Sequence, residues 1–446
     1  MERDEKKKNN KRTMKRLALS PLKAFGLSSL VGLLSLKSGG GATSSHGPKF
    51  IAAKGEASAE VIPEHVVKVQ AWMQDGNLDM AIWGVLPEEL LEHILAYIPF
   101  PRLSCIVTVC KRWHSLIHCP LFLQTHAENT SQWPSYGPVR YNVKMLENGE
   151  FHWSGYCKFT NTWQKLPPLS LPCLAGKQLW SGAGGLLCFY NRDNMGTLIV
   201  CNPVTKRWRE LPPMNQKWRW PCITHMIMDE STKAYKIVMA GNEAYPRNSS
   251  SYRSKSTEVY DSLLDTWQLS GSLPKDHYLD TQDGVLYNGL LYCTAQRTRT
   301  EMSDELLTHD ALVAYDVQRG MWIEVCSQLP DSSAHQTPLL CGGHMVIVVE
   351  PLDNDDAEGR VYVLDATTKN WSLLTIMPPS LHKKLGFWGV CVAHGNQIFV
   401  VADTSMVVVV YDMGEGTWQE LPSHQADSTF QSITPTLFSP DVNAVP

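Results

Sequence analysis

The chain lacks the compositional marks of several protein classes. Its 12 cysteines include no Cys-x-x-Cys pair, so the spacing that zinc ribbons and disulfide frameworks need is absent. Charges of the two signs nearly balance, at 40 Lys and Arg against 44 Asp and Glu, which disfavours a strongly basic nucleic-acid-binding protein. With 43% hydrophobic and 19% charged residues, the composition is that of an ordinary globular protein. The scattered cysteines indicate reduced thiols, and therefore a location in the nucleus or the cytoplasm.

Sequence motifs of enzymatic chemistry are lacking as well. The chain has no Gly-x-Ser-x-Gly and no Gly-x4-Gly-Lys-Ser/Thr motif, so neither a nucleophile elbow nor a phosphate-binding loop is predicted. His114 and His118 lie at helical spacing but lack the glutamate of the His-Glu-x-x-His metal motif, and we interpret them as residues of a solvated helix face. We therefore expect a protein that is not an enzyme and that needs no cofactor.

The first 82 residues differ in charge from the rest of the chain. They hold 13 basic and 8 acidic side chains, which leaves 27 basic and 36 acidic side chains for the remainder. Their apolar stretch, residues 17–36, contains Pro21, Lys23 and several serines, so a membrane span is not predicted. A Gly/Ser-rich linker composition follows. We interpret residues 1–82 as a poorly ordered head, with nuclear localisation or membrane-surface binding as alternatives.

Residues 83–126 carry the pattern of a small helical module. Apolar residues recur at helical spacing from Leu90 to Ile98, which predicts a helix with a buried stripe. Pro87 suits the first turn of that helix, and Pro99 ends it. A second apolar series continues to Ile117 and predicts one or two more short helices. Because about forty residues cannot bury all of this apolar surface among themselves, part of it is expected to meet another surface.

These residues resemble the F-box, the helical motif that docks on the Skp-type adaptor of a cullin-RING ubiquitin ligase. The resemblance covers about 40 residues. One departure is Arg102, where the family often has an acidic residue. The adaptor-binding residues that the resemblance implies are Leu86, Pro87, Leu90, Ile94, Leu95, Ile98, Pro99, Leu103, Val109, Cys110 and Trp113.

Residues 127–446 contain a repeat with one constant interval. Six tryptophans each follow an apolar or aromatic residue by seven positions, with turn-forming residues between them. The pairs are Tyr156 and Trp163, Cys201 and Trp208, Tyr260 and Trp267, Tyr315 and Trp322, Leu364 and Trp371, and Tyr411 and Trp418. A β-rich run before the turn and a second run from each tryptophan predict a hairpin. We interpret the tryptophans as packing between repeats rather than as a binding surface.

Further strands complete each repeat. A run bearing glycine lies upstream of several hairpins, as in Gly184-Gly185 and Gly342-Gly343, and another strand precedes it, which gives about four strands per unit. This pattern resembles the kelch repeat, whose units are the blades of a β-propeller. Six units predict a mainly β fold, a six-bladed kelch-type propeller preceded by the all-α F-box module. The first unit is short of strands, and residues 428–438 are expected to supply one and close the ring.

Loops on one face of this propeller form the predicted binding surface. Antiparallel blades place the loops between second and third strands on the same face as the connections between blades. The longest loops are expected at residues 241–257, 295–311 and 350–360. Aromatic and cationic residues of the blade connections are the predicted target-binding residues: Trp218, Arg219, Trp220, Tyr278 and Trp388.

Together the two halves resemble plant-type F-box/kelch proteins, which act as substrate receptors. The resemblance implies a Skp-type adaptor and, through it, a cullin-RING ligase as partners, with an unknown protein as the substrate for ubiquitination. No nucleic acid is expected among the partners. Two alternatives stay open at the level of sequence: a propeller enzyme with a metal site in its channel, and a scaffold that binds the adaptor outside any ligase.

Overall fold

The protein is described by a computed structural model. The described residues are 86–98, 100–101, 110–117, 119–130, 135–158, 160–190, 197–216, 218, 221–242, 254–279, 284–300, 306–326, 328–330, 334–351, 358–365, 367–386, 388–402, 407–422, 432–434 and 436–446. The predicted head, residues 1–82, lies outside them. The chain divides into two compact units, Met1–Trp133 and Pro134–Pro446.

In the described part of the first unit, three helices contact one another: α1 (Glu88–Leu95), α2 (Lys111–Ile117) and α3 (Pro120–Thr130). Helix α1 follows Pro87 and carries Glu88 and Glu89 in its first turn, where carboxylates interact favourably with the helix dipole. Leu91 and Leu95 are buried, as the apolar stripe predicts. Leu90 is 40% exposed, so the buried stripe is narrower than the sequence pattern indicated.

The described residues of the second unit form antiparallel strands, two short α-helices, α4 (Val143–Glu147) and α5 (Pro379–Leu385), and a 3-10 helix at Pro172–Leu174. The first nine strands are β1 (Tyr136–Tyr141), β2 (Glu150–Phe151), β3 (Trp153–Cys157), β4 (Thr162–Lys165), β5 (Leu169–Ser170), β6 (Gln178–Ala183), β7 (Leu186–Tyr190), β8 (Leu198–Asn202) and β9 (Arg207–Glu210). The next nine are β10 (Pro221–Met228), β11 (Tyr235–Asn242), β12 (Ser254–Asp261), β13 (Thr266–Ser270), β14 (His277–Leu279), β15 (Val285–Tyr287), β16 (Leu290–Thr300), β17 (Leu306–Asp316) and β18 (Met321–Cys326). The last nine are β19 (Ala334–Cys341), β20 (His344–Pro351), β21 (Arg360–Leu364), β22 (Trp371–Ile376), β23 (Trp388–His394), β24 (Gln397–Ala402), β25 (Val408–Asp412), β26 (Thr417–Glu420) and β27 (Ser432–Thr434).

These strands form six main sheets, the blades of a propeller, and the six-bladed mainly β fold is confirmed. In hydrogen-bonded order the blades are β27-β1-β3-β4, β6-β7-β8-β9, β10-β11-β12-β13, β14-β16-β17-β18, β19-β20-β21-β22 and β23-β24-β25-β26, numbered here 1 to 6. Strand β15 pairs beside β16 in blade 4, and β2 pairs with β5 separately.

The constant seven-residue interval has a structural cause in the turn between the third and fourth strands. In blade 3, Tyr260 lies directly opposite Trp267, and the turn between them begins at Asp261. The Asp261 carboxylate accepts a hydrogen bond from the Leu263 backbone N–H, and the Asp265 N–H closes the turn on the Asp261 carbonyl. Asp265 then adopts a left-handed φ of 55°. The same opposition holds for all six pairs, so the predicted hairpins are confirmed.

The hydrophobic core lies between adjacent blades. One cluster joins blades 2 and 3 around Val200 and Ile237, and another joins blades 5 and 6 around Val348 and Val400. Phe151 of β2 meets Phe189 of blade 2 edge to face, at a ring-centroid separation of 5.1 Å. Because each blade buries its faces only against neighbours, the stability of the unit depends on an unbroken ring.

Four of the six repeat tryptophans form a hydrogen bond to the preceding blade. Trp267 of blade 3 donates its indole N–H to the Pro212 carbonyl, which follows blade 2, at 2.9 Å. Trp322 donates to Thr257 of blade 3 at 2.7 Å, and Trp418 donates to Thr375 of blade 5 at 3.1 Å. Trp163 of blade 1 donates to the Pro422 carbonyl that follows blade 6, at 3.1 Å. Packing between repeats is therefore confirmed for these four tryptophans.

The ring is closed by the C-terminal segment, as predicted. Strand β27 pairs with β1, in register with Val139 opposite Thr434. Tyr136 and Phe438 exchange backbone hydrogen bonds of 2.7 and 2.8 Å. Farther on, the buried Asn202 amide of blade 2 donates to the carbonyls of Asp441 and Ala444, at 2.7 and 2.8 Å. The segment thus completes blade 1 and fastens it to blade 2.

Deletion of residues 428–446 is expected to abolish cooperative thermal unfolding and to cause aggregation, because it removes β27 and exposes a sheet edge at β1. Circular dichroism melting and light scattering measure both effects. Deletion of residues 1–75 serves as the control and should leave the melting transition in place. Equal tolerance of the two deletions would contradict the closing role of β27.

Candidate functional site

The helical unit separates the predicted adaptor-binding residues into a surface group and an interior group. Pro87, Leu90 and Cys110 are exposed, and Leu86 and Ile94 are half-buried. Leu95, Ile98 and Trp113 are 0, 4 and 5% exposed. The interior group therefore packs within the unit and shapes its surface instead of offering its own side chains. Pro99, Leu103 and Val109 lie outside the described residues.

The Leu86-Pro87 segment is fixed by contacts that sequence reasoning did not find. The Arg112 guanidinium donates a 2.7 Å hydrogen bond to the Leu86 carbonyl from helix α2. The Leu91 N–H bonds the Pro87 carbonyl at 3.0 Å and so begins α1 directly after the proline. The result is an apolar surface at the start of α1, made of Leu86, Pro87 and Leu90, whose backbone is already ordered.

His126 is a second residue of this unit that the sequence pattern missed. Its ring is 1% exposed, lies 5.8 Å from the Phe122 ring, and its Nε2 is 3.2 Å from the Ile98 carbonyl. Burial lowers the pKa of His126 to about 4, against the opposing effect of the hydrogen bond to Ile98. The imidazole is therefore neutral at pH 7, and it joins α3 to the residues that follow α1.

Acidification is expected to lower the free energy of unfolding of the helical unit. Because the folded pKa of His126 lies below its unfolded value, the unfolded state binds the proton first, and stability falls as the pH drops from about 6.5 towards 4. Between pH 7 and 5 the loss amounts to about 2 kcal/mol. Hydrogen-exchange protection factors of residues 88–130 should fall accordingly, and His126→Phe should remove most of that pH dependence. His114→Gln, at an exposed histidine, is the matched control; an unchanged pH dependence in His126→Phe would contradict the assignment.

On the propeller, the loop face differs in part from its prediction. Residues 295–311 were expected to form a long loop, but β16 runs to Thr300 and β17 begins at Leu306, and the two strands pair over their full length. The loop prediction was therefore wrong there, because alternation of polar and apolar residues in this stretch is too irregular to reveal a strand. Most of the other two predicted long loops lies outside the described residues.

Trp218 requires a correction. It was predicted to contact a target, yet its side chain is 1% exposed. Its indole N–H donates to the Glu258 carboxylate at 2.7 Å, and its carbonyl accepts a hydrogen bond from the Tyr190 hydroxyl. The other Glu258 oxygen accepts from the Asn215 backbone and side chain, at 2.6 and 2.9 Å. Trp218 thus holds the connection between blades 2 and 3 in place through a buried carboxylate.

The remaining predicted target-binding residues have different surroundings. Arg219 and Trp220 lie outside the described residues. Tyr278 is half-buried, and the Lys255 ammonium lies 4.5 Å from the centre of its ring. This cation–π contact leaves the tyrosine at the surface of the blade 3 to blade 4 connection.

Trp388 begins blade 6 and is largely engaged in local packing. Its ring fits against Gly359, where a Cβ would collide with it, and it meets the His382 ring at 5.7 Å. Its backbone N–H donates to Glu350 at 2.8 Å. Helix α5 directly before it exposes Lys383. Trp388 is half-buried, so only part of its side chain is open to a target.

Trp218→Ala is expected to destabilise the propeller by about 3 to 5 kcal/mol, because it empties a buried site and leaves Glu258 without one of its donors. The melting temperature should fall by roughly 10 °C. Trp208→Ala removes an equal side chain from a site that is 47% exposed, and it should leave the melting temperature nearly unchanged. Similar melting temperatures for both variants would contradict the buried role of Trp218.

Chemical sites of other kinds were sought in the described part of the chain. No group of three or more His, Cys, Asp or Glu side chains there could hold a metal ion. The eleven described cysteines are free. Among the described helices, none has the length and apolar character to cross a membrane.

Comparison with known proteins gives matches to both units. A family model described as "F-box associated beta propeller domain" matches residues 177–434, and one described as "F-box-like" matches residues 83–126. F-box only protein 6 of Arabidopsis thaliana is 25% identical over 68% of this chain and 60% of that protein. An F-box/kelch-repeat protein of the same plant is 25% identical over 78% of this chain and 83% of its own length. Among solved structures, a luciferin-regenerating enzyme aligns with a TM-score of 0.33 and 11% identity over 55% of this chain and 76% of that enzyme.

Proposed function

Because this chain belongs to the F-box associated beta-propeller family, we propose that it is the substrate-recognition subunit of an SCF-type ubiquitin ligase. Its helical unit docks on the Skp-type adaptor, and its propeller binds a protein target. One observation supports this proposal: the chain combines two different structural units. The helical unit has an ordered apolar surface at Leu86, Pro87 and Leu90, and the second unit is a closed six-bladed ring.

Docking on the adaptor uses surface that the helical unit leaves uncovered. The exposed Leu90 and Pro87 would bury apolar area against the adaptor, at about 25 cal/mol per Å². The side chains of Leu95, Ile98 and Trp113 are buried in the interior of the helical unit that carries this surface. Since the Leu86 carbonyl is already bonded to Arg112, little backbone ordering opposes docking.

The propeller contributes proximity and no bond chemistry of its own in this proposal. A bound target is held near the ubiquitin-charged enzyme, which raises the effective concentration of its lysines. Tyr278 and Trp388 are the described residues of the loop face that we retain as target contacts. The reaction would take place in the nucleus or the cytoplasm, where reduced thiols are maintained, in keeping with the eleven free cysteines.

Replacement of Leu86 and Pro87 by alanine in the full chain is expected to weaken adaptor capture by roughly 10-fold to 100-fold, because it removes apolar contacts worth about 1.5 to 3 kcal/mol. Co-purification with the adaptor, followed by titration, measures the effect. The matched control is Leu263→Ala/Leu264→Ala, which removes two exposed leucines, 76 and 59% exposed, from the propeller.

A folded Leu86/Pro87 variant that captures the adaptor as well as the wild-type chain would contradict the proposal. Adaptor capture without recruitment of the cullin would indicate a scaffold outside the ligase. Stoichiometric metal in the purified full chain would instead favour an enzyme with a metal site in the propeller.

A further inference from the structure

Trp208 differs from the four repeat tryptophans that bond the preceding blade. Its side chain is 47% exposed, whereas Trp267 and Trp322 at the equivalent position are 7 and 8% exposed. Among the described residues, no acceptor lies within hydrogen-bonding distance of its indole N–H. A position that serves packing in neighbouring blades therefore presents a large aromatic ring to solvent in blade 2.

Another tryptophan already donates to the acceptor that corresponds to Trp208. Trp267 and Trp163 bond the carbonyls of Pro212 and Pro422, each in a Leu-Pro sequence directly after the fourth strand of the preceding blade. The equivalent acceptor for Trp208 is the carbonyl of Pro167, which follows blade 1. Trp153 of β3, 1% exposed, already donates to that carbonyl at 2.8 Å. Trp208 makes no bond to this carbonyl in the described part of the chain.

The strand that bears Trp208 is also basic. Lys206, Arg207 and Arg209 lie within two positions of Trp208 in the sequence. Glu210 is the one acidic residue of β9. In the described part of the chain, Lys206 and Arg207 have no ion-pair partner, while Arg209 pairs with Asp265 of blade 3. After the first 82 residues the chain carries 27 basic and 36 acidic side chains, so this edge is positive within an acidic background.

The backbone of β9 is available for pairing. It is the last strand of its blade and bonds only β8 among the described strands. Successive side chains of a strand point to opposite faces. Arg207 and Arg209 therefore lie on one face of β9, where Arg209 pairs with Asp265 of blade 3. Trp208 lies on the opposite face.

From this geometry we propose that β9, residues Arg207–Glu210, is a docking edge for an extended acidic segment of a partner protein. The segment adds a strand to β9 through main-chain hydrogen bonds. Its alternate side chains are acidic on the face that carries Arg207 and the Arg209–Asp265 pair, where Arg207 is the unpaired cation, and apolar where they cover Trp208. The partner is thus defined by alternating carboxylate and apolar side chains in an extended conformation.

The test uses a fluorescein-labelled dodecapeptide of alternating valine and glutamate, titrated with the full chain in a fluorescence polarisation assay at about 50 mM salt. A dodecapeptide of alternating valine and lysine is the control. The wild-type chain is expected to bind the glutamate peptide at least about tenfold more tightly than the lysine peptide. Affinity should fall by several-fold at about 0.3 M salt, because the contacts with the arginines are screened.

The repeat itself supplies a matched variant. Strand β26 reads Thr417-Trp418-Gln419-Glu420, so Arg207→Thr/Arg209→Gln gives β9 the sequence of another fourth strand of the same propeller. This variant also removes the partly exposed Arg209–Asp265 ion pair, a contact worth at most about 1 kcal/mol, so it should keep the fold. It should lose about fivefold or more in affinity. Trp208→Ala should lose a comparable factor with an unchanged melting temperature. The reverse change, Thr417→Arg/Gln419→Arg, adds the arginines beside a tryptophan already bonded to Thr375, and it should not create an equal second site.

Equal affinity for the two peptides would overturn the proposal, and so would unchanged binding in the Thr/Gln variant or in Trp208→Ala. The proposal does not depend on the ligase. The peptide assay contains no adaptor. Loss of adaptor capture in the Leu86/Pro87 variant therefore tests the ligase proposal alone, and loss of peptide binding in the β9 variants tests the docking edge alone.

Discussion

The cross-strand pair at the end of each blade, together with the turn that joins its two strands, is the constraint on which the propeller depends. In blades 2 to 6 an Asx turn fixes four residues and a left-handed residue ends the turn, so the tryptophan falls opposite its partner. From that position the indole N–H of four of the six tryptophans reaches back to the preceding blade. One local motif therefore sets both the register within a blade and the contact between blades. Since the core lies between blades, the ring has little other means of support.

The sequence predicted this part of the fold well because it is local and repeated. A seven-residue interval that recurs six times is set by turn chemistry, and neighbouring residues encode turn chemistry. Ring closure by the C-terminal strand was also predictable, since blade 1 has too few strands before its tryptophan to complete a sheet. In the helical unit the apolar spacing predicted α1, although not which of its leucines would be exposed.

Side-chain partners from distant parts of the chain could not be predicted in the same way. Trp218 and Trp208 are both tryptophans in polar surroundings, and nothing next to them in sequence separates the buried one from the exposed one. Trp218 bonds Glu258, 40 residues after it, and Trp153 donates to the acceptor that corresponds to Trp208. The partner of a polar atom is a property of the packed blades. Sequence spacing therefore located the tryptophans but assigned the wrong one to the surface.

The pairing of Val139 with Thr434 has a consequence for the order in which the protein is made. At about 5 to 20 residues per second, the ribosome needs roughly 15 to 60 seconds between these two positions. The helical unit is synthesised before that interval begins, whereas blade 1 lacks a strand until it ends. A message cut short between residues 133 and 432 would therefore yield a chain with an intact helical unit and an open ring. In a cell where the helical unit docks as proposed, such a fragment would occupy the adaptor without delivering a target, and loss of the last strand would then act as a dominant defect.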